Sequence, residues 1–389
     1  MKRFLVAALM GLGSLAMAPA WAQAPQAPEI AARNYILIDM TAGHHVLAER
    51  DADAPQDPAS LTKLMTAYVV FNALKEKRLT LEQTLPVSKR AWEESRGGKS
   101  GESVMFIDTT MTPTVDQLLR GLIVQSGGDA AVALAEGASG TVENFVAQMN
   151  KQAAAWGLKN THFVNVGGMT DPSHKSSARD VAVIAMHIIE DYPQYYGYYS
   201  QKDFTFNKIK QGNRNILLTR DPSVDGMKTG YTEAAGYCLV ASSHRAFPNG
   251  ERRLLSVVMG TSSKIARADE SQKLLNWGYA AWDGLRLFAK DQAIATVPVW
   301  KGKIPEAKLG AAGSVFVDVP RGENADLKTE VQHTEPLVAP LAAGQRVGTL
   351  KVSTKSGVLV AEVPLVVQQE VPQAGLLGRA WDALRLWIK

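Results

Sequence analysis

The chain has 389 residues, 46% of them hydrophobic and 21% charged, with a formal net charge of +4. That length favours two or three domains over one. The composition is that of a folded globular protein rather than a disordered one, and so small a charge gives no pointer to nucleic acid.

Met1-Lys2-Arg3 is a short positive region, Phe4 to Met17 is apolar, and Ala20-Trp21-Ala22 places small residues at its two outer positions. This is the layout of a secretory signal peptide over 1–22, cut before Gln23. The apolar run is short and rich in Gly and Ala, which disfavours a membrane span. Cys238 is the single cysteine, so no intramolecular disulfide forms, and its apolar neighbours predict a core thiol.

Tyr35 to Asp39 and His45 to Leu47 flank Gly43, which predicts a β-hairpin. Leu61 to Leu74 has a helical pattern. Thr114 and Gln117 form a capping-box signature, and Leu118, Leu119, Leu122 and Ile123 continue that helix. Gly127-Gly128 breaks it, and Asp129 is expected to cap a second helix, Ala130 to Glu136. Further helices are expected near Val142–Trp156 and Ala178–Asp191. Strands follow at Phe204–Phe206, Gly236–Ser242 and Leu254–Gly260, then a last long helix over about Asp269–Phe288.

Near residue 290 the helical periodicity stops. Short β runs replace it at Ala295–Val299, Ser314–Val319, Val347–Val352 and Val358–Leu365. The expected organisation is an α+β domain over 23–289, a small all-β domain over 290–368, and a terminal helix over 372–389. That helix sets Leu377, Ala380, Trp381, Leu384, Trp387 and Ile388 against Arg379, Asp382, Arg385 and Lys389 on the opposite face. This suits a helix lying in a membrane interface, or one docked on its own protein.

Three short stretches carry candidate chemistry. In Ser60-Leu61-Thr62-Lys63, residues three apart share a helix face, so the Lys63 amine reaches the Ser60 hydroxyl. A serine needs a base beside it. A lysine serves if burial or a neighbouring cation keeps it neutral. In Lys228-Thr229-Gly230 an edge strand offers a cation, a hydroxyl and a backbone open to close approach, and Lys228 is a source of that neighbouring cation. Ser126-Gly127-Gly128 places a hydroxyl in a helix break, where it could relay a proton between Lys63 and a leaving amine. Each stretch alone fits a cap, a turn or a surface lysine equally well. Their order together in an exported chain is the motif set of class A β-lactamases and penicillin-binding proteins. Gly98-Lys99-Ser100 lacks the first glycine of a phosphate loop. His44 and His45 have no third ligand at metal spacing.

The chain resembles the low-molecular-mass penicillin-binding proteins, the D-alanyl-D-alanine carboxypeptidases of the S11 peptidase family, of the penicillin-binding protein 5/6 type. The resemblance rests on Asp57 to Thr66, Val124-Gln125-Ser126-Gly127 with Asp129-Ala130, and Val224 to Gly230 with Ala235-Gly236-Tyr237. It continues through Phe206 to Ile209, Lys273 to Gly278, Ser314-Val315 and Pro320-Arg321-Gly322. It implies a β-lactamase/transpeptidase-like domain, an antiparallel sheet with a helical subdomain, followed by the all-β domain and the amphipathic helix. It implies an acyl-enzyme on Ser60 with Lys63 as base and Ser126 as relay. Lys228, Thr229, Gly230 and Tyr231 would bind substrate, and the backbone N–H groups of Ser60 and Tyr231 would form the oxyanion hole. Arg267 and Arg214 would lie near the substrate carboxylate. The implied partners are the peptidoglycan stem peptide, β-lactams as covalent inhibitors and the membrane surface, with no cofactor and no metal. The implied location is the periplasmic face of the bacterial inner membrane.

One departure stands out. The family's second motif ends in an asparagine that hydrogen-bonds the substrate amide and the first-motif lysine. This chain has Gly128 there, which predicts weakened activity and leaves open a lapsed cell-wall scaffolding protein. The other rival is a β-lactamase, for which no glutamate is assignable as the base that holds a hydrolytic water.

Overall fold

The computed structural model describes residues 25–95, 102–247, 250–322, 327–355 and 357–388. The proposed signal peptide and Gly98-Lys99-Ser100 lie outside them. Two compact units divide the chain: Ala27–Ile294 with Ala311–Asn324, and Ala295–Gly310 with Ala325–Lys389.

The first unit opens with the expected hairpin, β1 (Asn34–Asp39) and β2 (His45–Arg50), paired antiparallel. A 3-10 turn, Ala59–Leu61, runs into α1 (Thr62–Lys75), almost wholly buried. Then come α2 (Lys89–Ser95) and α3 (Val115–Arg120), the latter with the Thr114/Gln117 capping box formed. After a π-helical turn at Gly121–Gln125 follow α4 (Gly128–Ser139), α5 (Val142–Ala155) and α6 (Ala178–Asp191). The short α7 (Pro193–Tyr196), the hairpin β3 (Asp203–Phe206) and β4 (Ile209–Gly212), and α8 (Leu217–Arg220) lead back to the sheet. Strands β5 (Val224–Thr232), β6 (Gly236–Phe247) and β7 (Gly250–Thr261) complete it, followed by α9 (Lys264–Ala281). The sheet order is β2-β1-β7-β6-β5, so both ends of the unit meet in one antiparallel sheet with β5 at its edge. The helices and the sheet share a core in which Leu64, Phe71, Leu118, Leu134, Ile36 and Val257 are fully buried.

Two expectations are corrected. The last helix does not reach Phe288: it stops at Ala281, and β8 (Trp282–Phe288) follows as a strand. Ser314–Val319, read as part of the small β domain, belongs to β11 (Val315–Pro320) and pairs antiparallel with β8 inside the first unit. The reason is cross-strand pairing, which overrides local periodicity, reinforced by a buried charge cluster. Arg252 Nη2 donates to Asp318 Oδ1 at 2.7 Å and Arg252 Nε to Asp39, all three side chains buried.

The second unit contains a sheet ordered β12-β14-β15-β10-β9-β13. Its strands are β9 (Ala295–Trp300), β10 (Glu306–Gly310), β12 (Lys328–His333), β13 (Leu337–Val338), β14 (Arg346–Ser353) and β15 (Leu359–Val367). Helix α10 (Leu376–Ile388) follows and buries no residue. Its Leu377, Trp381 and Trp387 are 89%, 63% and 85% exposed, so its apolar face is uncovered within this unit. The helix touches the unit by its polar side: Asp382 Oδ2 accepts from Lys301 N at 2.6 Å, and the Arg385 guanidinium lies over Trp300. No described helix is long and apolar enough to cross a membrane.

Candidate active site

Ser60 sits in the 3-10 turn that feeds α1, and Lys63 one turn further on. That spacing brings Lys63 Nζ to 3.2 Å from Ser60 Oγ, as a shared helix face requires. Lys63 is 1% exposed. A buried ammonium needs partners, and two more are present. The carbonyl of Gly167 accepts from Nζ at 2.8 Å, and the carboxylate of Glu102 forms an ion pair with it.

Gly167 belongs to a tight loop organised by Asn165, whose Oδ1 accepts the N–H groups of Gly167, Gly168 and Met169 at 3.2, 2.7 and 3.1 Å. Gly168 has φ +93°, and a Cβ there would strike the carbonyl of Ala59, one residue before Ser60. Only glycine lets this loop press against the turn that carries Ser60. Behind it, the His174 ring lies between Thr62 and Val164. The Val164 N–H donates to Nδ1 at 3.1 Å, so the ring proton is on Nε2, which donates to Thr62 Oγ1 at 2.8 Å. Burial pushes His174 down to about 4, so it is neutral in the folded protein.

Ser126 ends the π-helical turn in the left-handed region, φ 68°. This turns its Oγ toward β5, where Lys228 Nζ donates to it at 2.8 Å and to the Thr229 carbonyl at 3.1 Å. Lys228 is buried, and burial first, then the charges of Lys63, Arg214 and Arg267, push its amine well below the ordinary lysine range. Edge strand β5 packs against the Ser60 turn: a Cβ on Gly230 would lie 3.2 Å from Pro58 O and 3.3 Å from Ala59 Cβ. Thr229 is buried, whereas Tyr231 is half exposed and stacks on Tyr237 at 4.2 Å between ring centroids. Arg267 Nη1 donates to the Gly230 carbonyl at 3.1 Å, and its Nη2 reaches the Arg214 carbonyl at 3.5 Å. Burial lowers Arg267 to about 10. Neither arginine is ion-paired among the described residues.

Lys63 thus meets Ser60 directly, Ser126 meets Lys228, and Arg267 joins Gly230 to Arg214, with three differences from expectation. Ser126 bonds Lys228 rather than Lys63. Lys63 faces a carboxylate as well as the Lys228 cation. Asp129 does not cap α4: Gly127 takes that position, and the buried Asp129 carboxylate accepts the N–H groups of Met105, Ile107 and Ala130. Asp129 therefore ties down the segment that carries Glu102, helped by the Gly128 N–H, which donates to Ser103 O at 2.7 Å.

Glu102 is the residue that sequence reasoning missed. Its side chain fills the space beside Gly128 and Gly167, since a Cβ built on either glycine would overlap its carboxylate. Among the described residues no group of three or more His, Cys, Asp or Glu side chains is arranged to hold a metal ion.

Known proteins share this sequence pattern and fold. Residues 21–263 match the S11 peptidase model, described as D-alanyl-D-alanine carboxypeptidase, and residues 283–373 match the C-terminal domain of penicillin-binding protein 5. The chain is 43% identical to the D-alanyl-D-alanine carboxypeptidase DacC of Escherichia coli (strain K12), over 92% of this chain and 89% of that protein. It is 43% identical to DacA of Haemophilus influenzae, over 93% of this chain and 91% of that one. The crystal structure of penicillin-binding protein 5 from Haemophilus influenzae superposes with a TM-score of 0.82 at 42% identity, covering 90% of this chain and 99% of that one. With the Ser-x-x-Lys pair, the helix-break serine and the Lys-Thr-Gly edge strand all present, the chain belongs to the S11 family of D-alanyl-D-alanine carboxypeptidases.

Proposed function

We propose that Ser60, Lys63 and Ser126 carry the chemistry of this serine-type D-Ala-D-Ala carboxypeptidase, and that Lys228, Thr229, Gly230, Tyr231, Arg267 and Arg214 hold its substrate. Ser60 Oγ attacks the carbonyl between the two terminal D-alanines and passes its proton to Lys63. The backbone N–H groups of Ser60 and Tyr231 receive the oxyanion. Terminal D-alanine leaves, and water then releases the shortened stem peptide. Lys228 and the arginines present fixed positive charge to the substrate carboxylate. The observation that carries this reading is the 3.2 Å approach of Lys63 Nζ to Ser60 Oγ at a turn against which the Lys-Thr-Gly strand is packed.

The test is intact-mass spectrometry after incubation with benzylpenicillin, followed by peptide mapping. A persistent adduct of one penicillin on Ser60, with release of D-alanine from a stem pentapeptide, is expected. An adduct elsewhere, or none, overturns the assignment. Glu102 keeps a second reading in play, because a carboxylate beside the Ser-Lys pair is what a β-lactamase uses to hold its water. Rapid loss of the adduct with turnover of the drug would favour it.

We also read 1–22 as a cleaved export signal, 23–289 as the peptidase domain, 290–368 as the all-β domain save for strand β11, which pairs with β8 in the first unit, and 372–389 as a helix that lies on the outer leaflet of the inner membrane. The uncovered Leu and Trp face of α10 supports the last of these.

A further inference from the structure

We propose that Glu102 is the proton-accepting partner of Lys63, and that it stands in the slot which the family's second-motif asparagine would occupy. The inference deepens the proposed reaction and rests on Ser60 and Lys63 having the roles given above. Three observations converge on it. Lys63 and Glu102 form an ion pair, with side chains 0% and 7% exposed. Gly128 removes the side chain that the family pattern puts next to this lysine, and the freed volume is filled by Glu102 Cδ and Oε2. Gly167 opens the other side of the same slot, where its own Cβ would overlap Glu102 Oε1. Two glycines and one glutamate thus form a single fitted unit around the amine.

The proton balance is as follows. An ammonium cannot accept the Ser60 proton, so one N–H proton of Lys63 must first move. Glu102 Oε1 takes it, converting a buried ion pair into a neutral amine beside a neutral carboxylic acid, which a low-dielectric site tolerates. As Ser60 Oγ bonds to the substrate carbonyl carbon, its proton goes to the amine, and the negative charge appears on the carbonyl oxygen. When the intermediate collapses, the C–N bond breaks and the leaving nitrogen takes a proton that comes from Lys63 by way of the Ser126 hydroxyl. Glu102 then returns its proton to Lys63 and the ion pair is restored. The other charged groups around the pair are Lys228 on β5, Glu94 and Arg90 on α2, and Asp129 on α4. Glu94 is itself pushed up, first by burial and then by the charge of Glu102. Since Glu102 acts through Lys63, it is a positioning and proton-holding residue.

The experiment measures the second-order rate of benzylpenicillin acylation, and kcat and KM for D-alanine release, from pH 6 to 10. The proteins are wild type, Glu102→Gln, Glu102→Ala, Gly128→Asn and the double variant Gly128→Asn/Glu102→Ala. Thermal unfolding midpoints identify the folded variants, and Glu102→Gln keeps the shape of the side chain. Glu102→Gln is expected to slow acylation about 10²-fold near neutrality with little change in KM. That deficit should narrow as pH rises, because solvent hydroxide becomes able to stand in for the missing carboxylate as proton acceptor. A deficit equal at every pH means packing alone and overturns the proton role, as does a wild-type rate. Gly128→Asn alone should slow acylation by displacing Glu102, and the double variant should recover beyond Glu102→Ala. A double variant no faster than Glu102→Ala overturns the shared slot. A wild-type protein that is never acylated on Ser60 is a different outcome: it removes the reaction itself, and the Glu102 proposal with it.

Discussion

Lys228 Nζ donates to Ser126 Oγ at 2.8 Å, which ties the helix break after α3 to the edge of the sheet. Burial and the charges of Lys63, Arg214 and Arg267 hold the Lys228 amine below its ordinary value of 10.5, so it loses its charge earlier than a surface lysine as pH rises. The kcat/KM for a stem pentapeptide should therefore decline on the alkaline side well before pH 10.5. In Lys228→Arg the guanidinium stays charged throughout, and that decline should flatten although the absolute rate is lower. Lys228→Ala should lower kcat/KM by about 10²–10³-fold, the usual cost of losing a positioned electrostatic contact. A pH–rate profile of the three proteins decides the matter.

Gly168 holds the Ser60 turn from behind. Its φ of +93° and the Ala59 carbonyl against it leave no place for a methyl group. Gly168→Ala should destabilise the fold by about 1–3 kcal/mol through overpacking and strain. It should also slow acylation by moving Ser60. Denaturant midpoints and acylation rates measured together test both. A fully active, fully stable Gly168→Ala protein would mean that the loop shifts freely.

His174 and Asp39 give pH dependences of opposite sign. Burial lowers His174 to about 4, so between 6.5 and 4 the unfolded chain binds the proton that the folded one refuses. Stability from this group falls as pH falls through that window. Asp39 is raised to about 6 by burial and by Asp318, so the folded state binds its proton first and gains stability as pH falls from about 6 towards 3.8. His174→Gln should be less stable than wild type at pH 7, by about 1–3 kcal/mol for the disturbed buried hydrogen bonds. Its deficit should shrink at pH 4.5. Urea midpoints at the two pH values measure this, and a deficit that grows in acid contradicts the buried neutral ring.

Truncation before α10 tests the proposed membrane contact apart from folding. Ending the chain after Gly375 keeps the hydrogen bonds from Lys303 N to Pro372 O and from Ala374 N to Lys301 O, which close the second unit. The truncated protein should keep its unfolding midpoint and lose co-flotation with anionic lipid vesicles. Equal flotation of both forms would show that something other than the helix binds lipid.

Much of the site was legible because its signals are local. Ser60 and Lys63 are one helical turn apart, Lys228 to Gly230 lie on one strand, and Thr114 with Gln117 formed the box their spacing predicts. Glu102 was not legible. It lies on an irregular segment with no periodicity, and its meaning depends on Gly128 and Gly167, far along the chain. Read alone, Gly128 was a missing contact; in space it is room for another side chain. Trp282 to Phe288 misled for a related reason. The run follows directly on a helix with no proline between them, and its strand character comes from β11, about thirty residues later.

The return of β11 to β8 has a consequence for how the polypeptide can be divided. From residue 27 onward the chain passes between its two units three times, at 294/295, at 310/311 and between Gly322 and Leu327. A gene fragment ending at residue 294 would leave Arg252 and Asp39 without Asp318 and strand β8 without its neighbour. The catalytic half is therefore incomplete until ribosomal synthesis has moved well past the first stretch of the smaller one, and neither half is a module that a single proteolytic nick would set free.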